Sequence, residues 1–415
     1  MHREGDVRVM STVVLLTPLH LLADTRSLKQ SASFQRMGHD TIVVQDPPFS
    51  SGKGDISLEV ISLQSGNPGE NTAENSTMPS PEPRGGKALF HARLKRLTPR
   101  WIWEPLSFLW FLYAYFVKRP FTGLIKVPRA DLYYLHEYRL YPLVRILSLK
   151  YGAPFIYDAH DYYPEVHDRE TLSPFWRAVF MPFLNWLERR CVRRAAAVVT
   201  TSHGMAELIE ENFHRRPTVL RNSQDSRLEI KPDRGLREAC ELGEDAFLIA
   251  IVGNDKPGQA VEQMLEAMEK LPERVHAAFI GRYRDSSVSL AEEKGIAGRV
   301  HFCGRVDARE VVPYIRSADA AALIYFPYTR NYLHFLPNGF FQSVSAELPL
   351  LYPSLPEFVK IADQYHLGIC IDPLNPDSIR DGVLSLMEMT DDGEGRLPNL
   401  TTAAGTLNWQ REEGV

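Results

Sequence analysis

The chain has 415 residues, about three times the ~150 residues of a common domain, so two or three domains are expected. Hydrophobic residues make up 44% and charged residues 24%, which excludes collagen-like, coiled-coil and wholly disordered proteins. The net charge of −5 is unevenly spread, because residues 1–225 hold 28 Lys/Arg against 23 Asp/Glu and residues 226–415 hold 19 against 29. The basic first half predicts a surface that meets phosphates or anionic lipid.

Cysteine usage and the first residues indicate the compartment. No two cysteines form a CxxC pair, which excludes a zinc ribbon and disfavours a disulfide scaffold. The stretch Met1–Asp6 carries acidic residues and leads into a strand-like run, unlike a signal peptide. A cytoplasmic location is therefore expected. The four cysteines are Cys191, Cys240, Cys303 and Cys370.

The predicted elements begin with a buried parallel strand at 11–17, a helix at 24–37 that ends before Gly38, and a strand at 41–45. This βαβ opening has no GxGxxG, so it is not a dinucleotide fingerprint. Residues 64–86 are rich in Gly, Pro, Ser, Asn and Glu, and this composition predicts a disordered loop.

A basic and aromatic segment follows at 87–120. From Arg84 to Arg129 there are ten basic residues and one acid, Glu104. The apolar run 101–117 is about 17 residues long and contains Pro105, so it is shorter than the ~20 residues that span a bilayer. Two interpretations stay open: a core helix with solvated basic flanks, or an interfacial segment with Trp and Tyr at headgroup level.

Strands and helices alternate along the rest of the chain, which predicts two doubly wound α/β domains with a cleft between them. The expected domains are 1–225 and 240–400, joined by a linker at 232–244, with a tail at 401–415 that can pack back on the first domain. Further strands are predicted at 131–136, 154–158, 197–201, 218–222, 247–252, 275–280, 299–303, 320–325, 349–352 and 368–371. Helices are predicted near 139–150, 174–194, 258–271, 287–295, 308–317, 339–347, 355–365 and 376–389.

The order and spacing of several short motifs resemble the retaining GT-B glycosyltransferases of family 4, which have two Rossmann-like domains. In the second half these are Gly253-Asn254, Phe279-Ile-Gly281, Val300–Gly304, Leu336-Pro337-Asn338, Leu348-Pro349 and Leu355-Pro356-Glu357. In the first half they are Asp24–Arg26, Tyr157–Asp161, Thr201–His203, and Asn222 with Asp225.

The resemblance implies transfer of a sugar from a nucleoside-diphosphate sugar to a saccharide or lipid-linked acceptor, with retention of configuration. It also implies a role in cell-surface polysaccharide or glycolipid synthesis. No metal and no cofactor besides the nucleotide-sugar co-substrate are expected, and no nucleic acid partner. With the basic segment, it suggests peripheral attachment to the inner face of an anionic membrane.

Site residues follow from the matched motifs and from the charge of the leaving diphosphate, which helix N-termini and cations stabilise. The histidines are not spaced as metal-ligand pairs, so no metal set is predicted. The expected catalytic residues are His136 and His334. The expected donor-binding residues are Gly253, Asn254, Lys256, Arg282, Asn338, Gly339 and Gln342. The expected acceptor or sugar-side residues are Asp24, Arg26, His160 and Asp161.

The chain departs from the family pattern in the donor site. The two acidic residues that the family commonly has are His334 and Gln342 here, its lysine is Gly339, and its glycine before Leu-Pro is Glu347. A neutral Gln342 gives up a charge-assisted hydrogen bond worth about 1.5–3 kcal/mol. These changes leave an alternative open, a catalytically weakened GT-B fold that acts as a binding or scaffold subunit. A sugar-nucleotide epimerase fits the motifs less well.

Overall fold

The structure is a computed structural model that describes residues 11–21, 24–47, 58–64, 99–168, 170–391 and 398–415. The predicted loop beyond Gln64 and the basic residues 87–98 lie outside the described residues. The chain forms two compact units. The first runs to Thr200 and includes Leu208–Thr218, and the second contains Thr201–Glu207 and Val219–Val415.

The first unit is built on a seven-stranded sheet in the order β3-β2-β1-β4-β5-β6-β7. From β3 to β6 the strands pair in parallel. Its central strands are apolar runs buried on both faces, as expected for a parallel sheet covered by helices. The strands are β1 (Thr12–Thr17), β2 (Asp40–Gln45), β3 (Glu59–Ser62), β4 (Leu132–His136), β5 (Phe155–Ala159), β6 (Ala197–Thr200) and β7 (Thr218–Val219).

The second unit is built on a parallel six-stranded sheet in the order β10-β9-β8-β11-β12-β13. Its core lies between the sheet and helices, where Ile249 and Phe279 are buried with Met264 and Met268. The strands are β8 (Phe247–Val252), β9 (Val275–Ile280), β10 (Val300–Gly304), β11 (Ala320–Ala322), β12 (Leu350–Pro353) and β13 (Gly368–Ile371).

Helices follow most strands, as the alternation predicts. In the first unit they are α1 (Thr25–Arg36), α2 (Arg100–Tyr113), a π turn (Ala114–Lys118), α3 (Arg119–Lys126), α4 (Tyr141–Tyr151), a π turn (Trp176–Phe180) and α5 (Met181–Arg194). Helix α6 (His203–Phe213) begins in the second unit and continues in the first. The second unit adds α7 (Leu236–Ala239), α8 (Val261–Glu269), α9 (Asp285–Glu293), α10 (Val311–Ile315), α11 (Arg330–His334), α12 (Asn338–Ser345), α13 (Pro356–Tyr365), α14 (Pro376–Asp391), α15 (Pro398–Thr406) and α16 (Trp409–Glu412).

The predicted alternation is confirmed, with most ends within two residues, but some details were wrong. Strand β3 was missed, and β7 and β11 are shorter than predicted. The predicted linker at 232–244 contains α7 and belongs to the second unit. Arg237 holds it there, because its guanidinium donates to Asp319 Oδ2 at 2.6 Å and to the Ala246 carbonyl at 3.0 Å.

The C-terminal tail packs within the second unit, where we had allowed for packing on the first domain. Trp409 is buried, and its N–H donates to the carbonyl of Gln224. Arg221 donates to Glu412 at 2.6 Å, so the tail is fixed by an ion pair to the segment after β7. The expected boundary at 225 therefore lies inside the second unit, which takes up the chain again at Val219.

None of the described helices combines the length and the hydropathy that a bilayer crossing requires.

Candidate active site

Both sheets have a switch point, where the strand order reverses and ligands bind outside the carboxyl ends of the strands. In the first sheet it lies between β1 and β4, and in the second between β8 and β11. Predicted site residues follow these strand ends: Asp24 comes after β1, His136 ends β4, and Gly253 follows β8. The sequence therefore placed the candidate residues at the correct edge of each sheet.

A buried ion pair lies at this edge of the first sheet. Arg26 Nε and Nη2 donate to Asp158 Oδ2 and Oδ1 at 2.8 and 3.0 Å. Asp158 Oδ2 also accepts from Gln30 at 2.7 Å and from the Tyr134 hydroxyl at 3.1 Å. Burial would raise the pKa of Asp158, but the Arg26 charge outweighs it and holds that pKa well below its ordinary range. Asp158 is thus a permanent anion, a role that we did not assign to it from the sequence.

His136 is fully buried beside this pair. Its Nδ1 lies 2.9 Å from His160 Nε2, so the two imidazoles share a hydrogen bond. Its Nε2 has no hydrogen-bond partner among the described residues. Burial lowers the pKa of His136 to about 4, despite the nearby carboxylates of Asp24 and Asp158. At neutral pH His136 is therefore a neutral imidazole with one nitrogen that can bind a ligand.

Asp24 caps helix α1 and joins the same group. Its carboxylate accepts from the Ser27 N–H at 3.2 Å, from the Thr17 hydroxyl at 2.9 Å and from the Ser27 hydroxyl. Burial would raise the pKa of Asp24, but the imidazoles of His136 and His160 and the Ser27 hydrogen bonds lower it. The first-unit residues that we predicted from the sequence, Asp24, Arg26, His136 and His160, therefore form one cluster, with Asp161 next to His160 in the chain.

The backbone is strained beside this cluster. Glu137, directly after His136, has φ 58° and ψ 160°, a conformation that is essentially restricted to glycine. Its carboxylate is buried near Arg139, 3.6 Å from Nε. Burial raises the pKa of Glu137. Such strain is concentrated at functional sites, which supports a role for this strand end.

The cluster also contains one group of residues with the chemistry of metal ligands. Ligand atoms of His136, Asp158 and His160 lie within 4.8 Å of one another, although no metal set was predicted from the sequence. The fit is poor, because both oxygens of Asp158 already bind the Arg26 guanidinium, whose charge would repel a cation. The arrangement suits a hydrogen-bonded network better than an ion.

In the second unit the backbone is tightly packed at the strand ends. A Cβ on Gly281, which has φ +144°, would lie 1.6 Å from the Gly253 carbonyl oxygen, so only glycine fits there. Asn254 Oδ1 accepts from the Arg282 N–H at 2.8 Å and fixes the turn after β9. A Cβ on Gly339 would lie 2.8 Å from the Val252 carbonyl oxygen. Packing of α12 on β8 thus accounts for Gly339, where we had expected a phosphate contact to explain it.

Cations gather at the same edge. Arg282 follows β9, and Arg305, which we did not predict, follows the neighbouring β10. Burial and the Arg282 charge both lower the pKa of Arg305, so the two guanidinium groups repel each other. Lys256 is exposed, with its ammonium 5.5 Å from the centre of the Tyr332 ring. The position of Arg305 directly after a strand was the signal that could have found it.

His334, Asn338 and Gln342 lie on two consecutive helices. His334 ends α11, its carbonyl accepts from the Ser202 hydroxyl at 2.6 Å, and its ring packs on Gly204. Asn338 begins α12 and accepts from Asn222 at 2.5 Å. Gln342 is buried on α12. These residues pack within the second unit.

Glu347 adopts a left-handed backbone conformation, with φ +57°. Its carboxylate accepts from the Thr401 hydroxyl at 2.9 Å. The resemblance implies a glycine here, and the positive φ gives the reason, because glycine has no Cβ to clash in this conformation.

Two family models match consecutive parts of the chain. A glycosyl transferase 4-like domain matches residues 23–222, and glycosyl transferases group 1 matches residues 246–389. The chain belongs to the GT-B glycosyltransferases. The two doubly wound sheets are the two halves of this fold.

One curated relative and several solved structures resemble this glycosyltransferase. An uncharacterized glycosyltransferase of Methanocaldococcus jannaschii is 27% identical over 153 residues, which are 35% of the chain and 37% of the relative. The matched part of the chain therefore spans about a third of that relative.

Three solved structures are similar over nearly their whole length. Sucrose-phosphate synthase from Thermosynechococcus elongatus has a TM-score of 0.65 at 13% identity, covering 97% of the chain and 96% of that protein. HepE of Anabaena, in complex with UDP-glucose, has a TM-score of 0.63 at 15% identity, with 97% of each chain covered. WaaG, a glycosyltransferase involved in lipopolysaccharide biosynthesis, has a TM-score of 0.61 at 14% identity and 97% coverage of both. Identities this low show the fold alone.

The family match bears on the alternatives that the sequence left open. It supports a glycosyltransferase, and it does not favour the scaffold subunit that the substituted positions His334, Gly339 and Gln342 had suggested.

Proposed function

We propose that this glycosyltransferase moves a sugar from a nucleoside-diphosphate sugar to a saccharide or lipid-linked acceptor, with retention of anomeric configuration. The proposed process is the synthesis of cell-surface polysaccharide or glycolipid, in the cytoplasm. The likeness to WaaG, which is involved in lipopolysaccharide biosynthesis, and to HepE, which was solved with UDP-glucose, supports both parts.

The observation that carries the proposal is the pair of guanidinium groups at the edge of the second sheet. Arg282 and Arg305 follow adjacent strands and repel each other. A diphosphate between or beside them relieves this repulsion and gains charge-assisted hydrogen bonds. Since negative charge grows on the diphosphate as the glycosidic bond breaks, cations fixed there stabilise the transition state more than the ground state.

His136 is proposed to bind the sugar. Its pKa of about 4 keeps it neutral at physiological pH, and its Nε2 has no partner among the described residues. A neutral imidazole can accept a hydrogen bond from a sugar hydroxyl or donate one, depending on its tautomer. The network of Asp24, Arg26 and Asp158 around it holds the ring in place.

The reaction is proposed to need no metal and no cofactor. The cations that neutralise the leaving group are then Arg282, Arg305 and Lys256. In the first unit, the Arg26 guanidinium occupies the carboxylate that a cation would need. Binding of the sugar at Gln342 and His334 is proposed to rely on neutral hydrogen bonds, which are weaker than those of the acids that the family commonly has.

Calorimetry with UDP, GDP and ADP tests the donor class. We expect one of them to bind, and a bound ligand at about 100 times its Kd should add about 2.7 kcal/mol to the free energy of unfolding. Incubation of the matching nucleotide sugar with chelator present, followed by NMR of the anomeric proton, tests turnover, metal use and retention together. If no nucleoside diphosphate binds, the donor proposal is wrong. Binding without release of sugar would restore the scaffold alternative, and a product of inverted configuration would overturn retention.

A further inference from the structure

The helical segment Arg100–Lys126 of the first unit exposes a row of large apolar side chains. Trp110, Phe121 and Ile125 have 61%, 68% and 72% of their surface exposed, and Trp101 near the start has 74%. Leu106, Leu109, Tyr113 and Val117 complete the set, which we call the apolar row. Patches of this size are uncommon on the surface of soluble proteins and mark interaction sites.

The π turn keeps the apolar row on one face. Residues 109, 113, 117, 121 and 125 recur every four positions, and in a straight α-helix each step of four rotates by about 40° beyond a full turn. Over four steps the row would wind about 160° around the helix. The π turn Ala114–Lys118 adds one residue to a turn and takes back about 100° of this rotation. The row then stays within one side of a segment about 30 Å long from residue 106 to 125.

The opposite side of the segment is fixed to the first unit. The rings of Phe108, Phe111 and Phe116 lie 5.3, 6.3 and 5.8 Å from that of Phe183 on α5. A Cβ on Gly123 would lie 2.4 Å from a methyl group of Leu143, so α3 packs closely on α4. The apolar row therefore faces outward because the other face of the segment is already used.

Charge around the apolar row is almost wholly positive. The segment 100–126, α4, and the stretch 176–194 hold eleven Lys/Arg and two acids, Glu104 and Glu188. Both acids are buried. Glu104 accepts from the Ser173 hydroxyl at 2.7 Å, and burial raises the pKa of Glu188 to about 8, so it carries a proton at neutral pH. The eleven basic residues are Arg100, Lys118, Arg119, Lys126, Arg145, Lys150, Arg177, Arg189, Arg190, Arg193 and Arg194.

We propose that the apolar row is a docking surface for an anionic lipid bilayer, with its Trp and Tyr rings at headgroup depth and the surrounding Lys and Arg on lipid phosphates. Amphipathic aromatic rings and basic residues around an apolar strip are the chemistry of interfacial helices. A second copy of this chain is disfavoured as occupant, since it would bring the same positive charge to the interface. The proposal does not depend on the proposed transfer reaction.

Sedimentation with vesicles tests the proposal without any nucleotide or acceptor. The probes are vesicles of phosphatidylcholine alone and of phosphatidylcholine with phosphatidylglycerol in about equal parts. We expect the protein to sediment with the anionic vesicles only and to be released by salt, because surface attraction fades within a Debye length. Trp110→Glu with Phe121→Glu should lower the affinity for anionic vesicles at least ten-fold.

Matched controls separate this surface from general effects. Leu374→Glu changes a leucine of the second unit that is 50% exposed, and it should leave vesicle binding unchanged. Trp110→Phe should retain binding but reduce the blue shift of tryptophan fluorescence that accompanies insertion. Since the changed side chains are exposed, circular dichroism should show the folded state in every variant.

Three outcomes would overturn the proposal. The first is equal sedimentation with neutral and anionic vesicles, or with neither. The second is unchanged binding by the double glutamate variant. The third is self-association in solution that the double variant abolishes while vesicles bind neither form, which would make a second copy the occupant.

Discussion

Arg26 and Asp158, which are 132 residues apart in the chain, meet in a buried two-point ion pair at the carboxyl edge of the first sheet. The pair links the first turn of α1 to the end of β5, and His136 lies between Asp158 and Asp24 in the same network. The position of the candidate sugar-binding histidine therefore depends on a contact between two distant parts of the chain.

Asp158→Asn should lower the free energy of unfolding by about 3–5 kcal/mol, because it leaves the Arg26 charge buried without a counter-charge. Asp377→Asn is the matched control, since Asp377 pairs with Arg380 at 2.9 Å on the surface, where the cost should be below about 1 kcal/mol. Urea unfolding of both variants measures the difference. Equal losses in the two variants would contradict the importance of the buried pair.

His136 should make the protein less stable as pH falls from about 6.5 to about 4. Burial keeps its folded pKa at about 4, whereas an unfolded histidine has a pKa of about 6.5. Between these values the unfolded chain binds more protons, so the free energy of unfolding decreases as pH falls, by about 2 kcal/mol from pH ~7 to pH ~4.5. The depressed pKa of Asp158 acts in the same direction, but only below pH ~4.

Urea unfolding of the wild type and His136→Gln at these two pH values measures the effect. We expect the variant to lose about 2 kcal/mol less than the wild type between them. His203→Gln, a change at an exposed histidine, is the control and should lose as much as the wild type. An identical pH response in all three proteins would show that His136 is protonated normally when folded.

Arg305→Ala and Lys256→Ala should each lower the affinity for the nucleoside diphosphate about ten-fold, or about 1.4 kcal/mol, because each removes a cation from the proposed donor site. Arg380→Ala, which changes a surface arginine on α14, should leave affinity unchanged. Calorimetry with the nucleotide that the wild type binds gives the values. If Arg305→Ala binds as tightly as wild type, the two guanidinium groups do not hold the diphosphate.

Glu347→Gly should raise the free energy of unfolding by up to about 1 kcal/mol. It relieves the left-handed conformation at φ +57°, against a smaller cost from the greater freedom of glycine in the unfolded chain. Glu347→Ala, which loses the same contact with Thr401 but keeps a Cβ, should lie about 1 kcal/mol below the glycine variant. Thermal unfolding compares them, and equal stability would show that the backbone there is not strained.

The order of strands and helices could be predicted from sequence because buried parallel strands are continuous apolar runs, as in Phe247–Val252. Strand β3 was missed because its four residues carry little apolar signal and gain it only by pairing with β2. Ends that depend on packing, such as those of β7 and β11, were the least predictable.

Residues of the candidate site were found where they directly follow a strand, as His136 and Gly253 do. Asp158 was named only as part of a motif, because its ion pair needs Arg26 from a distant helix, and spacing in the sequence contains no such information. Arg305 was missed for the same reason, since its meaning comes from the neighbouring strand that ends in Arg282. Gly339 was explained by a ligand, whereas contact with the Val252 carbonyl is sufficient.

The π turn Ala114–Lys118 makes the segment 100–126 depend on its length more than on its residues. Deleting one residue there would restore a plain α-helix and rotate everything after it by about 100° relative to what comes before. Phe121 and Ile125 would then leave the side shared by Leu109 and Tyr113, with no side chain altered. Relatives that vary freely in sequence along this segment should therefore still keep the number of residues between Tyr113 and Arg119.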